Sequence, residues 1–157
     1  MRFLISRFFL FFLFFPLFSI SKEAIVFSQT FSNLLVKVAQ AEEEKRKGLM
    51  FVDKLSQTNG LLLLYKKPKI VKIWMHNTQL PLDIIFINDQ NKVVLIRRGE
   101  PFSKKIISSI TPVIGVLEIP EGCAKKLDIE VGDKTFWRVA NKSEVKNIRY
   151  YHCLDHF

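Results

Sequence analysis

The chain has 157 residues, a hydrophobic content of 48% and a formal net charge of +9. That length suits one domain with one ordinary core. Its basic residues are spread, with small clusters at Lys66, Lys67, Lys69 and Lys72 and at Arg97, Arg98, Lys104 and Lys105. A nucleic-acid surface would interleave such a patch with exposed aromatics, so the charge reads as a solvated face with at most weak attraction to anionic lipid or envelope polymers.

The first 21 residues have the layout of a secretory signal peptide. Arg2 and Arg7 form a short basic start, residues 8–18 are unbroken apolar sequence, and Ser19 and Ser21 place small residues before a cut that would leave Lys22 as the new N-terminus. A membrane anchor needs about 20 apolar residues. This run is shorter, contains Pro16 and ends at Lys22 and Glu23, so cleavage is the expected fate and no spanning segment would follow it. Cleavage also removes Arg2 and Arg7, lowering the charge to +7. Export permits a disulfide between Cys123 and Cys153 without demanding one.

Taken in order, residues 24–27 and 34–38 read as strands, the second with Leu34, Val36 and Val38 on one face. Residues 41–48 read as a short helix, acidic first and basic last, with Gly48 just past its end. Glu42 with Arg46 and Glu43 with Lys47 are spaced for i,i+4 pairs. Gly60 opens a continuous apolar strand over 61–65, the pattern of burial on both faces. A lysine-rich loop containing Pro68 follows.

Residues 70–75 predict a strand with Ile70, Lys72, Trp74 and His76 on one face and Val71, Ile73 and Met75 on the other. Residues 77–79 turn. Residues 82–87 and 93–96 form a hairpin about a polar turn, and 97–110 reads as a long loop with an apolar piece at Ile106 and Ile107. A strand over 113–119, a short helix over 123–127 and a last strand over 135–139 complete a domain of residues 22–139, followed by a polar tail over 140–157 that packs loosely. About seven or eight short strands and two short helices indicate a compact, mainly β barrel-like or sandwich domain.

The densest chemistry lies at residues 74–86. Asn77 and Thr78 suit a turn, and Asp83, five residues on, could accept hydrogen bonds from it. Turn chemistry alone accounts for these residues. A functional reading makes Trp74, His76, Asn77, Thr78 and Asp83 one end of a ligand pocket, with stacking on the indole and polar orientation beside it. His76 and Asp83 could instead form a general-base pair with Thr78 as the nearby hydroxyl, although the spacing fits no hydrolase motif. Glu118, in a buried-looking strand, reads as a satisfied core carboxylate. In the tail, His152 and His156 are spaced i,i+4 as in zinc-binding helices, with Cys153 or Asp155 as a third ligand. Chance accounts for such residues at a chain end, and no metal or other cofactor is expected.

Several of these stretches resemble one family. Residues 48–51 (Gly-Leu-Met-Phe), Gly60-Leu61-Leu62, Trp74-Met75-x-Asn77-Thr78-x-x-Pro81-Leu82-Asp83-Ile84-Ile85-Phe86, Val116-Leu117-Glu118 followed by Gly122 and Ala124, and Gly132-Asp133 resemble, in order, the domain of unknown function 192. The resemblance spans about residues 36–139. It implies a small, largely β, often exported domain with no assigned activity and no catalytic residues to carry over. His76 stands where the family usually has lysine, and would carry charge only at lower pH. The expectation is a periplasmic or secreted, non-enzymatic module that binds a small ligand or accompanies an envelope protein. The alternatives are a small hydrolase-like enzyme using His76 and Asp83, or a module docking through its basic face; no nucleic-acid partner is expected.

Overall fold

The computed structural model describes residues 22–31, 34–55, 58–147 and Cys153. Seven strands form one sheet: β1 (Lys22–Ser28), β2 (Leu34–Ala39), β3 (Leu61–Lys69), β5 (Leu82–Ile87), β6 (Val93–Gly99), β8 (Val113–Pro120) and β9 (Thr135–Val139). A separate ribbon pairs β4 (Lys72–Ile73) with β7 (Ile107–Ser108). The helices are α1 (Glu42–Lys47), α2 (Cys123–Lys126) and α3 (Lys142–Asn147). The expected leader, residues 1–21, lies outside the described residues.

The sheet order is β6-β5-β8-β3-β2-β1-β9, with β2 and β3 parallel and every other pair antiparallel. The two outer strands approach each other at one end: the Val93 amide donates to the Asp133 carbonyl at 2.9 Å, and the Thr135 amide to the Asn91 carbonyl at 2.8 Å. These bonds curl the sheet into a half-barrel and partly shield its edges.

Both faces of the central strands are covered. Leu62, Ile85, Ile87, Leu117 and Ile119 pack on one side with Cys123, Ala124 and Leu127 of the α2 region. Leu61, Leu63, Ile84, Phe86 and Val116 pack on the other with Val71, Ile73 and Met75. This two-sided burial is the reason residues 61–64 read as continuously apolar. Gly60 is required by close approach. A Cβ there would stand 2.0 Å from the Glu118 carbonyl oxygen.

The expected strand over 70–75 is mostly not a paired strand; only Lys72 and Ile73 form ladder pairs, with Ser108 and Ile107. Its alternation nevertheless holds, since Val71, Ile73 and Met75 are buried while Ile70 and Trp74 are exposed. Pairing was taken up upstream. β3 runs on through the supposed lysine loop to Lys69, where it rejoins β8 after a register shift that accommodates Pro68. The expected loop over 97–110 supplies the end of β6 and all of β7. Part of the polar tail is ordered too. α3 carries a reciprocal cap, with the Asn141 side chain accepting from the Glu144 amide at 2.8 Å and Glu144 accepting from the Asn141 amide at 3.0 Å. Cys153 is buried and disulfide-bonded to Cys123, with Cα atoms 5.7 Å apart.

Candidate functional site

Strand alternation divides β8 between two environments. Leu117 and Ile119 face α2, whereas Val116 and Glu118 face the layer that carries α1 and the β4–β7 ribbon. Glu118 lies in the middle of the sheet, in register with Leu61 on one side and Ile84 on the other. It is only 5% exposed, and its carboxyl has no hydrogen-bond or ion-pair partner among the described residues. Burial pushes its pKa up to about 7. The expectation of a satisfied core carboxylate is therefore corrected. Glu118 is in the core, but its chemistry is left open.

What it faces is a cavity of about 230 Å³. Gly48, at φ +52, carries the chain over the carboxyl, and a Cβ there would lie 3.7 Å from Glu118 Oε2. This tight turn lets the segment after α1 roof the cavity. Thr78 and Trp74 form part of the wall, and Lys45, Arg46, Lys47 and Lys72 supply the positive charge. The Lys45 side chain is 7% exposed; its ammonium pairs with Glu42 Oε1 at 2.6 Å and stands 4.6 Å from the centre of the Tyr65 ring. Glu42 thus pairs at i,i+3 rather than with Arg46. The Tyr65 hydroxyl is pushed up to about 12, first by burial and then by the Glu118 and Glu42 carboxylates.

The corner formed by residues 74–78 is held by long-range backbone bonds. The Met75 amide donates to Ser103 at 3.1 Å, Phe51 donates to the Asn77 carbonyl at 2.9 Å, and Phe102 donates to the Thr78 carbonyl at 2.9 Å. Asn77, Phe51 and Phe102 all have left-handed backbones, with φ of 57, 62 and 59. Asparagine tolerates that conformation, but phenylalanine does not favour it. Three such residues meeting at one corner concentrate backbone strain beside the cavity. Met75 fills the space left by Gly99, where a Cβ would come within 2.7 Å of its sulfur.

The five residues expected to line a pocket separate into different roles. Trp74 and Thr78 line the cavity, and Thr78 is 4% exposed with no hydrogen bond to its hydroxyl among the described residues. His76 lies against Trp74, with ring centres 5.1 Å apart. Asn77 shapes the turn. Asp83 faces the opposite side of the sheet, where its Oδ2 accepts the Ala124 amide at 2.9 Å at the start of α2. Burial there raises its pKa against the lowering effect of the Ala124 and Gly122 amides. No hydrogen bond joins His76 to Asp83 among the described residues. The suggested general-base pair is thus not assembled, because α2 occupies the carboxylate. In the tail, Cys153 has no thiolate to give a metal because it is bridged to Cys123. His152, Asp155 and His156 lie outside the described residues. The residues sequence reasoning undervalued are Glu118 and Lys45. The signal for the first was an acid inside the apolar run 113–119.

The profile of the domain of unknown function 192, described as an uncharacterized ACR family, matches residues 25–137. The chain belongs to this family. Two crystal structures are similar to this DUF192 domain. One, from Sinorhizobium meliloti 1021 and described as a "putative transcription regulator", is 29% identical, with 74% of this chain and 93% of that chain covered and a TM-score of 0.68. The other, a protein of unknown function from Novosphingobium aromaticivorans DSM 12444, is 31% identical, with coverages of 78% and 90% and a TM-score of 0.67. No curated protein matches the chain. The matched span contains Lys45, Gly48, Trp74, Thr78 and Glu118, so the whole cavity belongs to the family domain.

Proposed function

We propose that this DUF192 domain is exported to the periplasm or beyond and serves there as a small-ligand-binding or accessory module, with its ligand seated over Glu118. One observation carries the reading: a buried carboxyl and a buried hydroxyl, Glu118 and Thr78, both unpaired among the described residues, open onto one cavity with an indole in its wall. Buried polar groups ordinarily find partners, and a perturbed acid in a concave site marks a functional candidate. The leader-like residues 1–21 support export, as does the Cys123–Cys153 bridge, since such bonds persist in oxidising compartments.

Binding is favoured over hydrolysis because Thr78 and Glu118 share no hydrogen bond, whereas a nucleophile is normally activated by contact with its base. A screen of small metabolites by thermal shift tests the reading. A true ligand raises the melting temperature of the native protein, and Glu118→Gln or Thr78→Val lowers its affinity. Hits that bind both variants as well as the native protein would exclude this cavity. Sequencing the N-terminus of the protein recovered from its producing cell should begin at Lys22; an intact Met1 on the folded protein would overturn export.

A further inference from the structure

The distribution of charge in the cavity fixes which end of a ligand goes in first. The lining contains one acid, Glu118, and Thr78, both of them buried. Four basic residues line the same space, and Lys45 is already paired with Glu42. Arg46, Lys47 and Lys72 have no ion pair among the described residues. Arg46, Lys47 and Lys72 are exposed residues, whereas Glu118 is buried, so positive charge surrounds the outer part of the cavity and the carboxyl is at the inner end.

An anionic group pushed inward would be repelled by the ionised form of Glu118 in a poorly solvated space. The same group left outward would meet three cations that hold no close ion pair among the described residues. The inner end therefore calls for a donor, a hydroxyl or an ammonium, which gives Glu118 the partner it lacks. At about 230 Å³ the cavity falls below the usual range of drug-sized sites, so the ligand is of metabolite size. The Trp74 indole has His76 against it at 5.1 Å and itself lines the cavity, which adds a flat apolar wall.

We propose that the cavity takes a small carboxylate bearing a hydrogen-bond donor at its opposite end, with the donor on Glu118 and Thr78 and the carboxylate among Arg46, Lys47 and Lys72. Two kinds of molecule share that chemistry, the sugar acids and the amino acids. The inference rests on the reading of the cavity as a ligand site.

Calorimetric titration of the purified, disulfide-intact protein with D-glucuronate, D-glucose, L-serine and acetate tests it. Glucuronate or serine should bind, and which of them binds tells a sugar acid from an amino acid. Glucose, which lacks the carboxylate, and acetate, which lacks the donor, should each bind about tenfold more weakly or not at all. Glu118→Gln should weaken the acid probe by about tenfold or more. Arg46→Ala with Lys72→Ala should remove the preference for glucuronate over glucose, and these exposed substitutions leave the fold intact. Equal binding of glucose and glucuronate, or an affinity unmoved by Glu118→Gln, overturns the proposal. Should neither acid bind, the ligand class is wrong. The cavity reading then stands only if the unbiased screen finds another ligand sensitive to Glu118, and falls with it if the screen finds none.

Discussion

The two faces of the central sheet each carry an acidic side chain, Asp83 half-buried and Glu118 buried, and they treat it in opposite ways. Asp83 on β5 meets the start of α2 and is satisfied by the Ala124 amide at 2.9 Å. Glu118 on β8 is more deeply buried and has no partner among the described residues. Both carboxyls are raised by desolvation, but only Asp83 has backbone donors pulling it back. The α2 face, cross-linked by Cys123–Cys153, is built as structure. The cavity face, with its strained corner and open carboxyl, keeps unused binding capacity. A buried acid is thus informative through what it touches rather than through its burial.

That contrast can be broken from either side. The largest effect should come from the α2 face. Replacing Cys123 and Cys153 together by alanine removes a cross-link across a separation of 30 residues, which chain entropy puts at about 3.5 kcal/mol. Urea unfolding should show that loss while ligand affinity at the other face is retained.

Next in size is Glu118. Its folded pKa of about 7 lies above its ordinary 4.5. The folded state therefore holds the proton more tightly, and stability is fully present below about pH 4.5 and is lost as pH rises through 7. The penalty at pH 8 amounts to about 3 kcal/mol. Glu118→Gln should abolish this slope, so the variant gains on the native protein between pH 4.5 and 8. Parallel stability curves for the two proteins would show that Glu118 has a hidden partner.

Asp83→Asn should cost about 1 kcal/mol by weakening the charged cap on α2. Ligand binding should be unchanged, and a loss of binding would reconnect the two faces. The smallest effect belongs to His76. Its ring contact with Trp74 is partly exposed, and His76→Ala should lower stability by about 0.5 kcal/mol. A larger fall in ligand affinity would mean that His76 positions the indole.

Much of the architecture was legible along the chain. The strands over 82–87 and 113–119 follow from apolar patterning, and the structure extends the second by one residue to Pro120. Gly48 and the acid-to-base order of 42–47 marked α1. The failures share a cause. Whether 70–75 pairs, and whether 97–110 contains a strand, depends on each finding the other across some thirty-five residues. Two-residue strands are too short for a periodic signal. The same holds for the site. Trp74 and Thr78, read as pocket residues, do line the cavity, while Asp83 was joined to them because five residues separate it from Thr78. In a strand, one residue's difference in register sends a side chain to the other face.

The sequence by itself determined the family, the mainly β class and the two-sided burial of the central strands, because these are written in local patterning and in motifs that recur in order. It also determined that an acid would sit inside an apolar strand. Only the tertiary structure decided what that acid faces. Ala124, from a distant helix, satisfies Asp83, whereas Gly48 from one segment and Trp74 and Thr78 from another leave space over Glu118. Partnership between buried polar groups is a long-range contact, and no spacing along a chain encodes it.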